Sequence, residues 1–119
     1  MAKSQSTVPQ HRIRYAEVLL IKAEAMNESG TPGAAAVLDQ VRDRAGLAPT
    51  SASTQVALRD AIRKERRREL GFEFHRFFDV MRYGKDYAVA ALGAAAWPSD
   101  RYYFPIPQGE KDANAALKN

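Results

Sequence analysis

The sequence contains no cysteine and no long run of apolar residues. Without cysteine, the chain can form no disulfide, no thiolate nucleophile and no cysteine-ligated metal site. No stretch approaches the roughly 20 consecutive apolar residues of a membrane-spanning helix. The opening residues, MAKSQSTVPQHR, also lack the apolar core of a secretory signal peptide. We therefore expect this chain itself to carry neither a signal nor a membrane anchor.

A strong excess of one charge is also missing. The 119 residues include 18 Lys and Arg against 14 Asp and Glu, which gives a formal net charge of +4. This balance permits a nucleic-acid partner but does not require one. Hydrophobic residues make up 45% of the chain, as in an ordinary globular domain. Length and composition together indicate one small domain or part of a larger protein.

The most informative pattern that is present is helical periodicity, which predicts an all-α fold. Apolar residues recur at helical spacing over residues 12–29 and again over residues 32–45. Between these segments, Gly30 is typical of a helix end, and Thr31-Pro32 is typical of a helix start. The two segments are therefore predicted to form an αα-hairpin.

A third and longer helix is predicted from residue 55 to at least residue 70. It either ends near Gly71 or continues through residue 81, because a single glycine weakens a helix without always ending it. A shorter helix is expected over residues 85–92.

The two ends of the chain are predicted to differ from this helical middle. Residues 102–107 should be extended, because two prolines restrict the residues before them. A last short helix is expected to begin near Gln108. Residues 1–11 are interpreted as a disordered or cloning-derived arm, which leaves residues 12–119 as the helical domain.

The third predicted helix carries charged side chains on the face that should be apolar. On a helical wheel of about 100° per residue, its apolar stripe continues into two carboxylates and an arginine. Arg67 falls on the opposite face, and Glu17 is expected on the solvent side of the first helix. The stripe consists of Leu58, Ala61, Ile62, Glu65, Glu69, Phe72 and Arg76.

These inward charges predict ion pairing. A carboxylate buried alone is very costly, so buried carboxylates must be paired and hydrogen-bonded. Arginine suits this pairing because its planar fork binds a carboxylate through two hydrogen bonds, and Arg42 or Arg44 can reach from the second helix. We predict a partly buried ion-pair network that fixes how helices and loops dock. Its predicted members are Glu65, Arg66, Glu69, Arg76, Asp79 and Arg82.

Three other interpretations of this charged segment are weaker. Acid–base catalysis by Glu65 and Glu69 would need a cleft and separated pKa values, whereas the many arginines favour two ionised carboxylates. His75 and Asp79 can supply two metal ligands at i, i+4, but the chain has only one other histidine. Residues 59–82 hold eight basic and five acidic residues, which is not the pattern of a phosphate-binding track. We therefore predict no catalytic residue, no metal ligand, no cofactor and no nucleic-acid partner.

Several motifs occur together in a fixed order. They are RYAEVLLIKAEAMNESG, AAAVLDQVRDRAGL, LRDAIRKERRRELGFEFHRFFDVMRYG, and YYFPIPQGE followed by NAALKN. In this order and spacing they resemble the C-terminal region of SusD/RagB-like outer-membrane nutrient-binding lipoproteins, over nearly all of residues 12–119. Phe74 departs from the family, in which a small residue, often glycine, is common at this position.

The resemblance implies both a fold and a role. The fold would be a tetratricopeptide-like helical hairpin, a long charged scaffold helix and an extended Pro-rich C-terminal segment. The parent protein would be a lipoprotein exposed at the cell outer membrane. It would bind a glycan or other nutrient without enzymatic activity and work with a TonB-dependent, SusC-like transporter. This chain would then be a C-terminal fragment that serves mainly as scaffold and docking surface, with exposed apolar surface that favours self-association.

Two questions stay open at the level of sequence. Trp97 and Tyr102 either contribute one wall of a glycan site, since sugar faces stack on aromatic rings, or pack the end of the chain across the helices. The alternative function is a free-standing tetratricopeptide-like adaptor that binds a peptide or protein. The sequence upstream separates the two functions, because only the lipoprotein requires a long N-terminal part with a lipidated cysteine.

Overall fold

A computed structural model describes residues 13–96 and 105–117, and every regular element in these ranges is helical. This confirms the predicted all-α class. No helix in the described ranges is both long and apolar enough to cross a membrane. The elements are α1 (Tyr15–Glu28), α2 (Ala34–Arg44), α3 (Gln55–Glu69), α4 (Arg76–Tyr83), α5 (Lys85–Leu92), α6 (Gln108–Ala113) and a 3-10 helix (Ala115–Leu117).

The chain divides into two compact units, Met1–Phe74 and His75–Asn119. In the first unit, α1, α2 and α3 surround one apolar core. Its centre is formed by Leu20, Leu38 and Ile62, which are fully buried, one from each helix. Small residues such as Ala23 and Ala34 are also buried there. Because apolar side chains from all three helices meet, burial of this core stabilises the hairpin and α3 together.

The turn between α1 and α2 differs in detail from the prediction. Gly30 ends the first helix at φ 71°, as expected. The second helix begins at Ala34, with Gly33 as its N-cap at φ 96°, so the expected start at Thr31-Pro32 is wrong. The Thr31 hydroxyl is hydrogen-bonded to the Ser29 hydroxyl at 2.8 Å instead of capping α2. The chain therefore makes one further turn, which requires the left-handed conformation that glycine adopts at little cost.

The loop that follows α2 is tied down by side chains. Asp39 accepts a hydrogen bond from the backbone N–H of Thr50 at 2.7 Å. Arg42 donates from Nε to the carbonyl oxygen of Ala48 at 2.9 Å. The Thr54 hydroxyl then accepts from the N–H of Ala57 at 3.2 Å and caps α3. These bonds fix how the chain leaves the hairpin and enters the charged helix.

The third helix ends at Glu69 and does not continue into α4. Phe72 and Phe74 follow in the left-handed region, each at φ 64°. The placement of Phe72 on the apolar stripe is therefore wrong, and the residue is fully exposed. Arg76 begins a new helix, so the phase of α3 does not extend to it.

In the second unit, α4 and α5 are separated by Gly84 at φ 97°. Val80 and Ala88 are buried, and the rings of Tyr83 and Tyr87 meet edge to face at 5.0 Å. The predicted helices at residues 85–92 and near Gln108 are confirmed as α5 and α6. The two ligand candidates Trp97 and Tyr102 lie outside the described residues. The tetratricopeptide-like character of the hairpin and the extended Pro-rich segment stay predictions.

Candidate functional site

The charged face of α3 places Glu65 against the end of α2. Glu65 is only 3% exposed, as the helical wheel predicts. Its Oε2 accepts a hydrogen bond from Nη1 of Arg42 at 2.7 Å. The same guanidinium donates to the Ala48 carbonyl, so one arginine joins α3 to α2 and to the loop that follows it.

One turn further along α3, Glu69 is bound by arginines from two other parts of the unit. Nη1 of Arg14, at the start of α1, donates to Oε1 at 2.9 Å. Nη2 of Arg44, in the last turn of α2, donates to Oε1 at 2.7 Å and to Oε2 at 2.8 Å. The side chain of Glu69 is 9% exposed. A single carboxylate thus connects all three helices of the first unit.

Arg14 also holds the segment that follows α3. It binds Glu73 in a fork, through Nε at 2.9 Å and Nη2 at 2.7 Å. Its Nη2 donates in addition to the backbone carbonyl of Glu69 at 2.8 Å, a group that has no partner within the helix. The hydrogen bonds to Glu73, and after them those to Glu69, raise the pKa of Arg14 above its ordinary value. This guanidinium therefore stays charged wherever the protein is folded.

A further buried pair connects α1 with α3. Nη2 of Arg66 lies 3.3 Å from Oε1 of Glu17, and both residues are buried. The expected solvent-side position of Glu17 is therefore wrong. The physical reason is that α3 packs along this side of α1 and brings Arg66 to the carboxylate. The pattern of α1 alone carries no signal for that neighbour.

An exposed ion pair lies at the outer edge of the contact between α1 and α3. Arg59 donates to Glu28 from Nε at 2.6 Å and from Nη2 at 2.5 Å. These hydrogen bonds lower the pKa of Glu28 below its ordinary value. Beside them, Asn27 and Gln55 each donate a side-chain N–H to the other's backbone carbonyl, at 3.0 and 2.7 Å. The end of α1 is thereby tied to the start of α3.

The remaining predicted members of the ion-pair network lie in the second unit. Nη2 of Arg82 is 3.5 Å from Oδ1 of Asp79, one turn earlier on α4. Arg76 donates to the hydroxyl of Tyr87 at 3.1 Å, and its guanidinium lies 5.5 Å from the centre of that ring. The described contacts thus place Glu65, Arg66 and Glu69 with partners in α1 and α2. A single network through all six residues stays a prediction.

Two important residues of this arrangement were not identified from the sequence. Arg14 and Glu73 lie 59 positions apart, and helical periodicity says nothing about contacts over such a separation. Arg42 and Arg44 were identifiable because they end a predicted helix with their charges on its last turn. Within residues 13–96 and 105–117, no group of three or more His, Asp or Glu side chains is arranged to hold a metal ion.

In its described residues the protein is thus all-helical, and arginine–carboxylate pairs dock α1, α2 and α3 against one another. Comparisons with known proteins agree on a family. The SusD family profile matches residues 2–96. SusD-like protein P2 of Formosa agariphila is 44% identical over 80 residues, which are 59% of this chain and 16% of that protein. SusD-like protein P38 of the same organism is 36% identical over 104 residues, which are 78% of this chain and 20% of that protein.

The chain therefore belongs to the SusD family. It spans a fifth or less of the length of these two relatives. No solved structure matches the chain significantly.

Proposed function

We propose that residues 12–119 form the C-terminal helical region of a cell-surface nutrient-binding lipoprotein, which captures a glycan or similar nutrient without altering it. Membership of the SusD family supports this role. The observation that carries the proposal is that ion pairs hold α3 against its neighbouring helices. Its two inward carboxylates, Glu65 and Glu69, are bound by arginines of α1 and α2 and dock the helices.

The ion pairs of Glu65 and Glu69 argue against acid–base catalysis at α3. A catalytic carboxylate pair needs one group held protonated and the other ionised, and both must reach the substrate. Arginines instead bind Oε2 of Glu65 and both carboxylate oxygens of Glu69, so they occupy oxygens that a substrate would need. The charged helix is better suited to hold a binding surface in place than to carry out a reaction.

In this proposal the chain serves mainly as scaffold and docking surface. Trp97 and Tyr102 are the residues whose chemistry suits sugar stacking, because each ring offers a flat apolar face with a polar edge. The partner of the parent protein would be a TonB-dependent, SusC-like transporter of the outer membrane, which receives the captured nutrient.

Binding and turnover on a panel of polysaccharides test this function. The purified chain is passed over immobilised glycans, and the glycan recovered is sized for new chain ends. We expect saturable binding, unchanged glycan length, and a loss of about tenfold in affinity for the variant Trp97→Ala/Tyr102→Ala. Tyr15→Ala, which removes an exposed ring elsewhere, is the matched control. Cleavage of a glycan that Glu65→Gln or Glu69→Gln abolishes would refute the non-enzymatic role.

The transporter is tested separately. The tagged chain is incubated with detergent-solubilised outer membranes from a bacterium that carries a SusC-like transporter encoded beside it. Recovery of that transporter in proportion to the bait is expected. Recovery no greater than that obtained with an unrelated helical protein of similar charge would contradict the partnership.

A further inference from the structure

A polar groove of about 410 Å³ lies on the first unit, between the loop at residues 50–54 and the outer side of α3. Its floor contains the Arg42–Glu65 pair, whose charges neutralise each other at 2.7 Å. Its α3 wall carries Lys64 and Arg68, one helical turn apart and both exposed. Side chains four residues apart on a helix are neighbours, so the two cations face the same groove.

These two cations differ from the arginines that dock the helices. Within the described part of the chain, neither Lys64 nor Arg68 makes a side-chain hydrogen bond or an ion pair. Among the described lining residues, Asp60 is the one other charged residue outside the Arg42–Glu65 pair. Apart from the Arg42–Glu65 pair, the described lining therefore carries two unpaired positive charges against one negative charge.

The hydrogen-bonding groups around these charges are those of a sugar site. The loop presents the hydroxyls of Ser51 and Ser53, which both donate and accept hydrogen bonds. The carboxylate of Asp60 accepts hydrogen bonds from ligand hydroxyls. The guanidinium of Arg68 can hold a carboxylate or sulfate through two bonds, and Lys64 adds a mobile positive charge beside it.

We propose that this groove binds an anionic sugar unit of a glycan, bearing a uronate or a sulfate, with Lys64 and Arg68 as the anion-binding residues. The proposal rests on the glycan-binding function proposed above and assigns the charge class of its ligand. A neutral sugar would leave both cations without a counter-charge. An anionic sugar satisfies the two cations and also supplies hydroxyls for Asp60 and the serines.

Nucleic acid fits the groove less well. A continuous phosphate backbone would bring one negative charge after another past Asp60. None of the described residues that line the groove is aromatic, so among them bases would find no ring on which to stack. The hydroxyl-rich lining, in contrast, matches a ligand in which anionic groups are separated by neutral hydroxyls.

The test compares variants of the full chain that lose positive charge inside or outside the groove, on defined polymers. The double variant Lys64→Gln/Arg68→Gln is compared with Arg67→Gln, an exposed α3 position that does not line the groove. Circular dichroism and urea unfolding verify that each variant folds. Binding is measured by calorimetry to polygalacturonate, dextran sulfate, neutral dextran and duplex DNA at about 0.1 M salt.

We expect the unsubstituted chain to bind polygalacturonate or dextran sulfate at least about tenfold more tightly than neutral dextran. The double variant should lose at least about tenfold in that affinity, and Arg67→Gln should lose less than about threefold. Polygalacturonate as the tighter ligand would indicate a uronate, and dextran sulfate would indicate a sulfate.

Four results would overturn the inference. The first two are absence of binding to both anionic polymers and tighter binding of duplex DNA than of either polymer. The third is an unchanged affinity of the double variant for the anionic polymers. The fourth is an equal loss of affinity in Arg67→Gln, which would indicate only general charge attraction. A chain that binds neutral glycans of the panel normally, with the double variant unaffected, would refute the groove and leave the proposed function standing. A chain that binds no glycan of either kind would refute both.

Discussion

Arg14 is held at the start of α1 by four hydrogen bonds to two residues, Glu69 and Glu73. Ordering so long a side chain costs conformational entropy, so a single exposed contact would contribute little. Here the planar guanidinium satisfies one carboxylate as a fork, another through one bond, and a backbone carbonyl at the end of α3. Together, the four hydrogen bonds of this one rigid group offset the entropic cost of ordering the side chain, which no single bond would offset alone.

The pair Arg42–Glu65 is predicted to be energetically coupled. Glu65 is nearly inaccessible, so Arg42→Ala should strand a buried carboxylate and cost about 2–4 kcal/mol. A double-mutant cycle with Glu65→Ala, measured by urea unfolding, isolates the interaction. We expect a coupling energy of about 1.5–3 kcal/mol. A coupling below about 0.5 kcal/mol would mean that the two groups act independently.

The pair Glu28–Arg59 predicts a specific dependence of stability on pH. Hydrogen bonds from Arg59 lower the pKa of Glu28, whose ordinary value is 4.5. A lowered folded-state pKa stabilises the fold above the unfolded-state pKa, and this contribution is lost as pH falls through the folded-state value. The unfolding free energy of the unsubstituted chain should therefore exceed that of Glu28→Gln at about pH 6, and the gap should close toward about pH 3.

An exposed carboxylate without such a partner serves as the control for that prediction. Asp43 lies on the solvent side of α2 and makes no ion pair with the described residues. The variant Asp43→Asn should differ little from the unsubstituted chain at either pH. A gap for Glu28→Gln that does not change with pH would contradict the role of Arg59.

Part of the candidate site was predictable from the sequence, and the rest was not for a physical reason. Glu65 and Glu69 follow the phase of Leu58 and Ile62, so their inward position is a local property of α3. The partners Arg14 and Glu17 depend on how α1 packs against α3. That packing is set by the whole core, and no local periodicity reports it.

At the scale of elements, the start of α2 gives the sharpest test. Gly33 is its N-cap at φ 96°, and a Cβ added there would lie 3.4 Å from Cε of Met26. Gly33→Ala should therefore lower the unfolding free energy by about 1–2 kcal/mol. Thr31→Ala should cost at most about 0.5 kcal/mol, because Thr31 does not cap the helix. The reverse order would place the helix start at Thr31.

The helices themselves were predictable to different degrees. α5 matches its predicted range, because Gly84 and Gly93 flank it at φ 97° and 85° and mark both ends. The sequence alone leaves the end of α3 open between residue 70 and residue 81, whereas the helix ends at Glu69. The pattern of this chain does not mark Phe72 as left-handed, since bulky residues rarely adopt that conformation. At Phe74 the available signal is the glycine that is common at this position in the family, because glycine adopts a positive φ at little cost.

At the scale of the whole molecule, the exposed rings after α3 predict self-association. Phe72 and Phe74 are 105% and 89% exposed, and each is held in a costly backbone conformation. Sedimentation velocity should show a concentration-dependent increase in mass, which Phe72→Ser/Phe74→Ser abolishes. Val56→Ser, which removes an exposed apolar side chain from α3, should leave the association intact. A strictly monomeric unsubstituted chain would contradict this expectation.

The central claim is that the inward charges of α3 dock the helices of the first unit. Urea unfolding of Glu69→Ala and Arg67→Ala tests it most directly, because both positions lie on α3 and both substitutions gain equally from the helix propensity of alanine. Glu69 binds Arg14 and Arg44, so Glu69→Ala should lower the unfolding free energy by about 2–4 kcal/mol. Arg67 is exposed, and Arg67→Ala should change the unfolding free energy by at most about 0.5 kcal/mol. Equal and small effects of the two substitutions would mean that both charges lie on a solvent-exposed face of α3 and do not dock the helices.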